Sequence, residues 1–279
     1  MSFGSPRGKV VRIELYMRSS DYVYNFTGKV SKAILLTELP ELEVYFRPVK
    51  GYFKPLRVSP PLKDGMAVTP YYDKSGELRP VAFDGEYVVE AGLPAELADK
   101  VAERLSSIAG VKTRLKFENA VLEYIVSKVD VLEPRVRLGS VVVVKSASPA
   151  LLPSPLLPSQ HVRRFTTAPW VVFWVPYALY KGVLSHDYKV ALEAAKFFEE
   201  CLAEHYSTKS KTVFVNYDGK REPTLMLRAR YIMLREECRS ELAGILETAR
   251  VFGIGSSRAS GFGSILDFSN FKLPTSREE

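Results

Sequence analysis

Cysteine is nearly absent: Cys201 and Cys238 are the only two in 279 residues. Two cysteines cannot build a disulfide framework or a four-ligand zinc site, so a reducing, cytoplasmic setting is the expectation. Histidine is scarce too. His161, His186 and His205 all lie in the second half of the chain, and each reads first as a surface or helix-end residue. No run approaches the roughly 20 apolar residues that span a bilayer, and residues 1–15 lack the long apolar stretch of a secretory signal, so no membrane partner is expected. The most hydrophobic stretch, from Trp170 to Leu179, is interrupted by Pro176 and reads as core. No carboxylate cluster has metal-ligand spacing. Neither metal nor cofactor is therefore expected.

What is present is an apolar fraction of 46%, broken regularly by turn residues, which points to a fully folded chain. The length fits two domains. The formal charge of +7 makes an anionic partner plausible on electrostatic grounds. The excess is uneven: residues 1–64 hold eleven basic and six acidic side chains, a local +5. Charge alone does not separate a binding surface from a merely solvated basic face.

From Lys9 to Arg18, apolar and charged residues largely alternate, as in a half-buried strand. Val30, Ala33, Ile34, Leu35 and Leu36 then predict a short helix over 29–39, with Thr27 as its cap. Residues 42–58 and 78–90 read as strands, with turn signals at Asp64-Gly65 and Ser75-Gly76. Residues 94–108 read as an amphipathic helix, with Pro94 in its first turn and Gly110 as its stop. Residues 111–131 return as strand. This is the β-α-β-β-α-β order of a ferredoxin-like, RRM-like unit.

The second half repeats the order without repeating the sequence: strand 136–144, helix 188–206, strands 212–217 and 224–234 around Asp218-Gly219, helix 236–251 and strand 264–271. Residues 148–167, with four prolines, read as an insertion outside the second sheet. The expected fold is α+β, two tandem ferredoxin-like domains with antiparallel sheets. The expected division is 1–134 and 135–279, with a basic cleft between or across the halves.

The sharpest motif is Gly253-Ile254-Gly255-Ser256-Ser257-Arg258-Ala259-Ser260-Gly261-Phe262-Gly263, between a helix and the last strand. Glycines let a backbone approach a phosphate and adopt positive φ, Arg258 adds a fixed charge, and Ser256 and Ser257 add small donors. A merely flexible turn is the bland alternative. A dinucleotide fingerprint does not fit, because it runs strand, loop, helix.

This loop resembles the glycine-rich signature of the CRISPR repeat-processing endoribonucleases of the RAMP superfamily, matching all four glycines and both intervening hydrophobic positions. Lys54-Pro55-Leu56-Arg57-Val58-Ser59-Pro60 looks like their Lys-Pro-x-x-x-Ser-Pro segment, and residues 26–32 look like the start of their first helix. The resemblance implies metal-independent cleavage of CRISPR repeat RNA to 2′,3′-cyclic phosphate and 5′-OH ends, producing guide RNAs. An interference complex is a further implied partner, and the protein would be a monomer or homodimer. The alternative it leaves open is a non-catalytic RNA-binding subunit of such a complex.

Members of the family usually cleave with a first-domain histidine, which this chain lacks. It is similar instead to a histidine-lacking archaeal branch in which lysines are implicated; the matching positions are Lys29, Lys32 and Lys54. Residues three apart lie about 60° apart around a helix, so Lys29 and Lys32 share a side at the positively polarised first turn. Their placement there suggests an anion. Lysine near its reference pKa of about 10.4 is a poor base but can stabilise charge and donate a proton. Lys32 and Lys54 are thus expected to stabilise the transition state and protonate the leaving oxygen. Lys29, Arg258 and Arg57 are expected at phosphates, together with the loop residues Gly253, Gly255, Ser256, Ser257, Gly261 and Gly263. Tyr22 or Tyr24 is a candidate for orienting the 2′-OH, with core packing as the alternative, and the general base stays unassigned.

Overall fold

The computed structural model describes residues 8–47, 49, 51–157 and 163–271. In strand β1 (Gly8–Ser19), Val11, Ile13, Leu15 and Met17 turn inward while Arg12, Glu14, Tyr16 and Arg18 line the other face. After β1 come helix α1 (Gly28–Glu38), the single turn α2 (Glu43–Phe46), and the short strands β2 (Arg57–Val58), β3 (Leu62–Lys63), β4 (Met66–Ala67), β5 (Tyr71–Tyr72) and β6 (Leu78–Arg79). Long strand β7 (Asp84–Pro94), helix α3 (Ala95–Ser107) and strands β8 (Lys112–Phe117) and β9 (Ala120–Leu132) complete the first half.

The first sheet has the order β4-β3-β7-β1-β9-β8, with β2 also on β7, and its pairings are antiparallel. Its centre has the ferredoxin-like arrangement, with the first strand between the third and the last. One face packs on α1 and α3 through Val30, Ile34, Leu35, Ala98, Val101 and Leu105. Burying the inward residues of a strand or helix is the main stabilising contribution here, about 1.5–3 kcal/mol per large aliphatic side chain.

The second half runs β10 (Val141–Ser146), α4 (Pro169–Val172), α5 (Trp174–Tyr180), α6 (Tyr188–Cys201), β11 (Leu202–Glu204), β12 (Lys209–Tyr217), β13 (Lys220–Met233), α7 (Arg239–Phe252) and β14 (Ile265–Phe271). Its sheet has the order β14-β10-β13-β12, the same arrangement as the first. The expected fold class, two antiparallel ferredoxin-like sheets with helices on one face, is the observed one. The segment 170–179 is core as expected, with Trp174 and Phe173 enclosed beneath α6.

Several local expectations are corrected. Residues 43–46 are helical and only 57–58 pair as strand, because Pro40 opens a helical turn there. Residues 111–131 form two strands, since Glu118 takes φ 54° and turns the chain back on itself. Thr27 does not cap α1; its hydroxyl donates to Val68 O at 2.6 Å. The start of the proline-rich insertion is not outside the second sheet: Ala150 bridges Leu225, and residues 150–152 are buried. Cys201 and Cys238 form a disulfide, joining the end of α6 to the turn before α7. Thirty-seven residues separate them, but β13 brings the chain back so that their Cα atoms lie 5.8 Å apart.

The halves interlock. The β5–β6 hairpin, from the first half of the chain, extends the second sheet by pairing with β12. Val10 of β1 belongs to the second core. Phe26, Leu151, Val215 and Phe262 make a small core at the seam, where Phe26 and Phe262 stack at 4.1 Å.

Candidate functional site

The glycine-rich loop starts where α7 ends. Ile254 and Phe262 are fully buried, and Ile254 N–H donates to Gly263 O while Gly263 N–H donates to Pro149 O. The four glycines are themselves buried. A Cβ on Gly263, at φ 66°, would lie 2.0 Å from Ile254 O; one on Gly28 would lie 2.1 Å from Ser260 O. These glycines let protein backbones close on each other. The first turn of α1 thereby rests directly on the loop.

That seating brings the three lysines together. Lys29 pairs with Asp218 and sits 4.9 Å over the Tyr217 ring. Lys32, half-buried, lies 5.2 Å over the Phe46 ring. Lys54 donates to the backbone carbonyls of Tyr45, at 2.7 Å, and Arg47. Burial pushes the Lys32 ammonium down from the ordinary lysine value, and the neighbouring Lys29 charge adds to that. Burial likewise lowers Lys54, with Lys32 contributing. Each cation is therefore near enough to the next for repulsion to register.

The two arginines expected at phosphates are placed differently. Arg57 is 0% exposed: its Nε donates to Val251 O at 2.9 Å and its Nη2 to Glu90 at 3.1 Å. Arg250 meets the same Glu90 through two bonds of 2.7 and 2.8 Å. Arg258, 6% exposed, donates to Gly255 O at 2.5 Å and to Lys54 O at 2.7 Å. Burial lowers each of these two guanidinium pKa values to about 10, though Glu90 pulls that of Arg57 back up. Both side chains are buried and donate to protein acceptors, while Arg258 also lines the cleft and its Nε, like Arg57 Nη1, bonds no described group. They tie the loop and the end of α7 to the segment carrying Lys54.

The part of the loop that does face outward is Ser256, Ser257, Ala259 and Ser260. Ser257 holds the left-handed conformation at φ 54°, a strained position for a non-glycine residue. These residues line a cleft of about 290 Å³ whose other walls include Phe46, Tyr52, Lys54, His186 and Tyr217. His186 sits just before Asp187, which caps α6. Its Nε2 donates to Pro155 O at 2.8 Å, because a carbonyl can only accept, and its ring meets Trp174 edge-on. His205 is elsewhere, bonded to Ser207; His161 lies outside the described residues. Tyr22 and Tyr24 are exposed rather than core, and Tyr24 O accepts from Asn216 at 2.8 Å.

Two residues near the cleft were not singled out as functional in the sequence, Asp218 against Lys29 and Arg163, which bonds Ser256 at 3.2 Å; His186, read there as a surface or helix-end residue, lines the cleft. Only the Asp218-Gly219 turn signal pointed near any of them.

No protein-family model and no curated protein matches the chain. Solved structures do. A Cas6 in a product complex matches with TM-score 0.60 and 14% identity, over 92% of this chain and 98% of that one. Cas6 from Thermus thermophilus matches with TM-score 0.57 and 13% identity over 93% and 97%. The product of a Cas6-related gene from Pyrococcus furiosus matches with TM-score 0.55 and 11% identity over 92% and 97%. The chain has the Cas6 fold. At these identities the likeness is one of architecture across nearly the whole length. Among the described residues no helix is long and apolar enough to cross a membrane.

Proposed function

We propose that this protein is a metal-independent endoribonuclease that cuts CRISPR repeat RNA by attack of a 2′-OH on the adjacent phosphate. The carrying observation is that Lys54 lines the cleft with the outward face of the glycine-rich loop while Lys29 and Lys32 stand on the first turn of α1, which is seated on that loop. Lys32 feels the charge of Lys29 and Lys54 feels that of Lys32, and an anion placed among them relieves that repulsion. The solved Cas6 product complex makes the RNA reading the natural one for this fold.

In this reading the scissile phosphate lies at the mouth of the cleft. Ser256 and Ser257 donate to its non-bridging oxygens, and Lys29 exchanges Asp218 for phosphate. Lys32 stabilises the charge that builds in the phosphorane, an interaction worth most where water is excluded. Lys54 protonates the leaving 5′ oxygen; burial and the neighbouring Lys32 charge lower its pKa, which makes it readier to give up its proton. Arg258 acts through Lys54 by fixing that residue's backbone. It is a positioning residue. The division into domains at residue 134 is likewise part of the proposal, with the β5–β6 hairpin serving as a brace across it.

The test is single-turnover cleavage of labelled repeat RNAs by purified protein in EDTA. The expected products are a 2′,3′-cyclic phosphate and a 5′-OH. Lys32→Ala and Lys54→Ala should each slow cleavage by about 10²-fold or more while RNA affinity stays within a few-fold. His186→Ala should do much less. Full rates in both lysine variants together with a dead His186 variant would move the chemistry to the second half. Binding without cleavage of any repeat would leave the non-catalytic subunit.

A further inference from the structure

The turn between β12 and β13 carries an anion to the lysine site. Tyr217 pairs with Lys220 across it, which leaves Asp218 and Gly219 as the loop. Both take positive φ, 55° and 74°. A tight hairpin of this hand asks for φ above zero at both loop positions, and asparagine meets that demand as readily as aspartate. The turn therefore needs a small polar residue at position 218 but not a charge. The charge goes to Lys29 of α1, in the other half of the chain.

Hydrogen bonds fix the turn against that half and against the glycine-rich loop. Asp218 N–H donates to Asn25 Oδ1 at 3.1 Å, Asn216 Nδ2 donates to Tyr24 O at 2.8 Å, and the Tyr217 hydroxyl donates to Ser260 Oγ at 3.3 Å. Asn25 Oδ1 also accepts from Phe26 N–H at 2.8 Å, just before α1. The carboxylate is thus presented by a held backbone, while Lys29 reaches it on a long flexible side chain. The Lys29 ammonium lies 4.9 Å from the centre of the Tyr217 ring, and Tyr217 lines the cleft together with Ser256 and Ser257. The ion pair therefore stands beside the cleft. Among the described residues, Lys29 is the one of the three site lysines that has a carboxylate partner.

We infer that Asp218 is a built-in competitor for the phosphate: its carboxylate occupies Lys29 in the free protein, RNA displaces it, and its return speeds departure of the bound strand. The inference rests on the reading above, in which Lys29 takes a phosphate. A carboxylate and a phosphate offer an ammonium the same thing, an anionic oxygen that accepts a charge-assisted hydrogen bond. Both cannot crowd the one ammonium without repelling each other. Since the turn is held by its own bonds, losing Lys29 leaves the carboxylate in place beside the incoming anion. The Asp218 side chain is 58% exposed, so water and salt screen the pair. An exposed pair of this kind is worth about two- to fivefold in an equilibrium constant, which tunes affinity and does not block binding.

The test is Asp218→Asn, which suits the same turn and keeps the backbone bond to Asn25 while removing the charge. The probe is a labelled repeat RNA made with 2′-O-methyl riboses, which cannot be cut by its own 2′-OH. Its dissociation is followed after an unlabelled chase at low salt. The variant should bind about two- to fivefold more tightly, chiefly through slower dissociation. In a Lys29→Gln background most of that gain should vanish, because the two changes are coupled through one contact. A merely structural anchor would give the opposite sign, since loosening the seam weakens binding. Unchanged or weaker binding by Asp218→Asn would overturn the inference, and so would an equal gain in both backgrounds, which would make Asp218 a general negative charge. Lys29→Gln binding as tightly as wild type would remove Lys29 from the phosphate and the inference with it. Cutting of the unmodified repeat RNA is measured alongside. If wild type cuts while Asp218→Asn brings no gain, the cutting reading stands and the competitor falls; if wild type does not cut while the coupled gain persists, the reverse holds.

Discussion

Among the described residues Glu90 is the anion that both Arg57 and Arg250 bond, and replacing it with Gln tests whether that buried cluster holds the site together. Burial pushes its carboxyl up, but Arg57 and Arg250 outweigh burial and hold it at about 2 instead of the ordinary 4.5. That difference corresponds to roughly 3 kcal/mol of stability at neutral pH. Because the folded value is the depressed one, this contribution is complete above the ordinary 4.5 and is lost as pH falls towards about 2. Glu90→Gln at pH 7 leaves two guanidinium charges inside with no anion, for which the expected cost is about 3–5 kcal/mol. Urea unfolding measured from pH 7 down to pH 2.5 should show this loss at pH 7, with the gap to wild type narrowing below pH 4.5. Cutting should suffer too, since Arg57 joins β2, three residues after Lys54, to Val251 at the base of the loop. A variant within about 0.5 kcal/mol of wild type at pH 7, or a gap that does not change with pH, would refute the reasoning.

Arg258→Ala should leave the salt slope of RNA binding unchanged, because the guanidinium bonds Gly255 and Lys54 carbonyls, while slowing cutting and lowering stability by about 1–3 kcal/mol; a slope smaller by one phosphate would restore this side chain to the RNA. If Lys54 is the proton donor, cutting should fall on an alkaline limb below the ordinary lysine value of 10.5, since its folded pKa is lowered, and Lys54→Arg should move that limb upward in a pH–rate profile. The paired change Cys201→Ser and Cys238→Ser should cost about 3–4 kcal/mol in oxidising buffer, from the 37-residue separation the bond closes, and wild type in reductant should show the same loss.

Strand and helix periodicity depends on neighbours a few residues apart, so it is legible in the amino-acid order: β1, α1, α3, α6 and α7 lie close to where alternation and amphipathic spacing put them. The lysines at the start of α1 and the glycine spacing are equally visible there. What a glycine or an arginine does is not, because that depends on what lies across a gap in space. Gly263 and Gly28 face protein backbone, and Arg57 and Arg258 face carbonyls and Glu90, all brought in from residues more than 30 positions away or from the opposite side of the loop. The Cys201–Cys238 bond is hidden for the same reason, since only the return of β13 closes 37 residues to 5.8 Å. Local pattern thus determined the elements and the catalytic candidates. Register and the seam between the halves decided which charges are buried as structure, as at Arg57 and Arg258, and which gather around the first turn of α1 and Lys54.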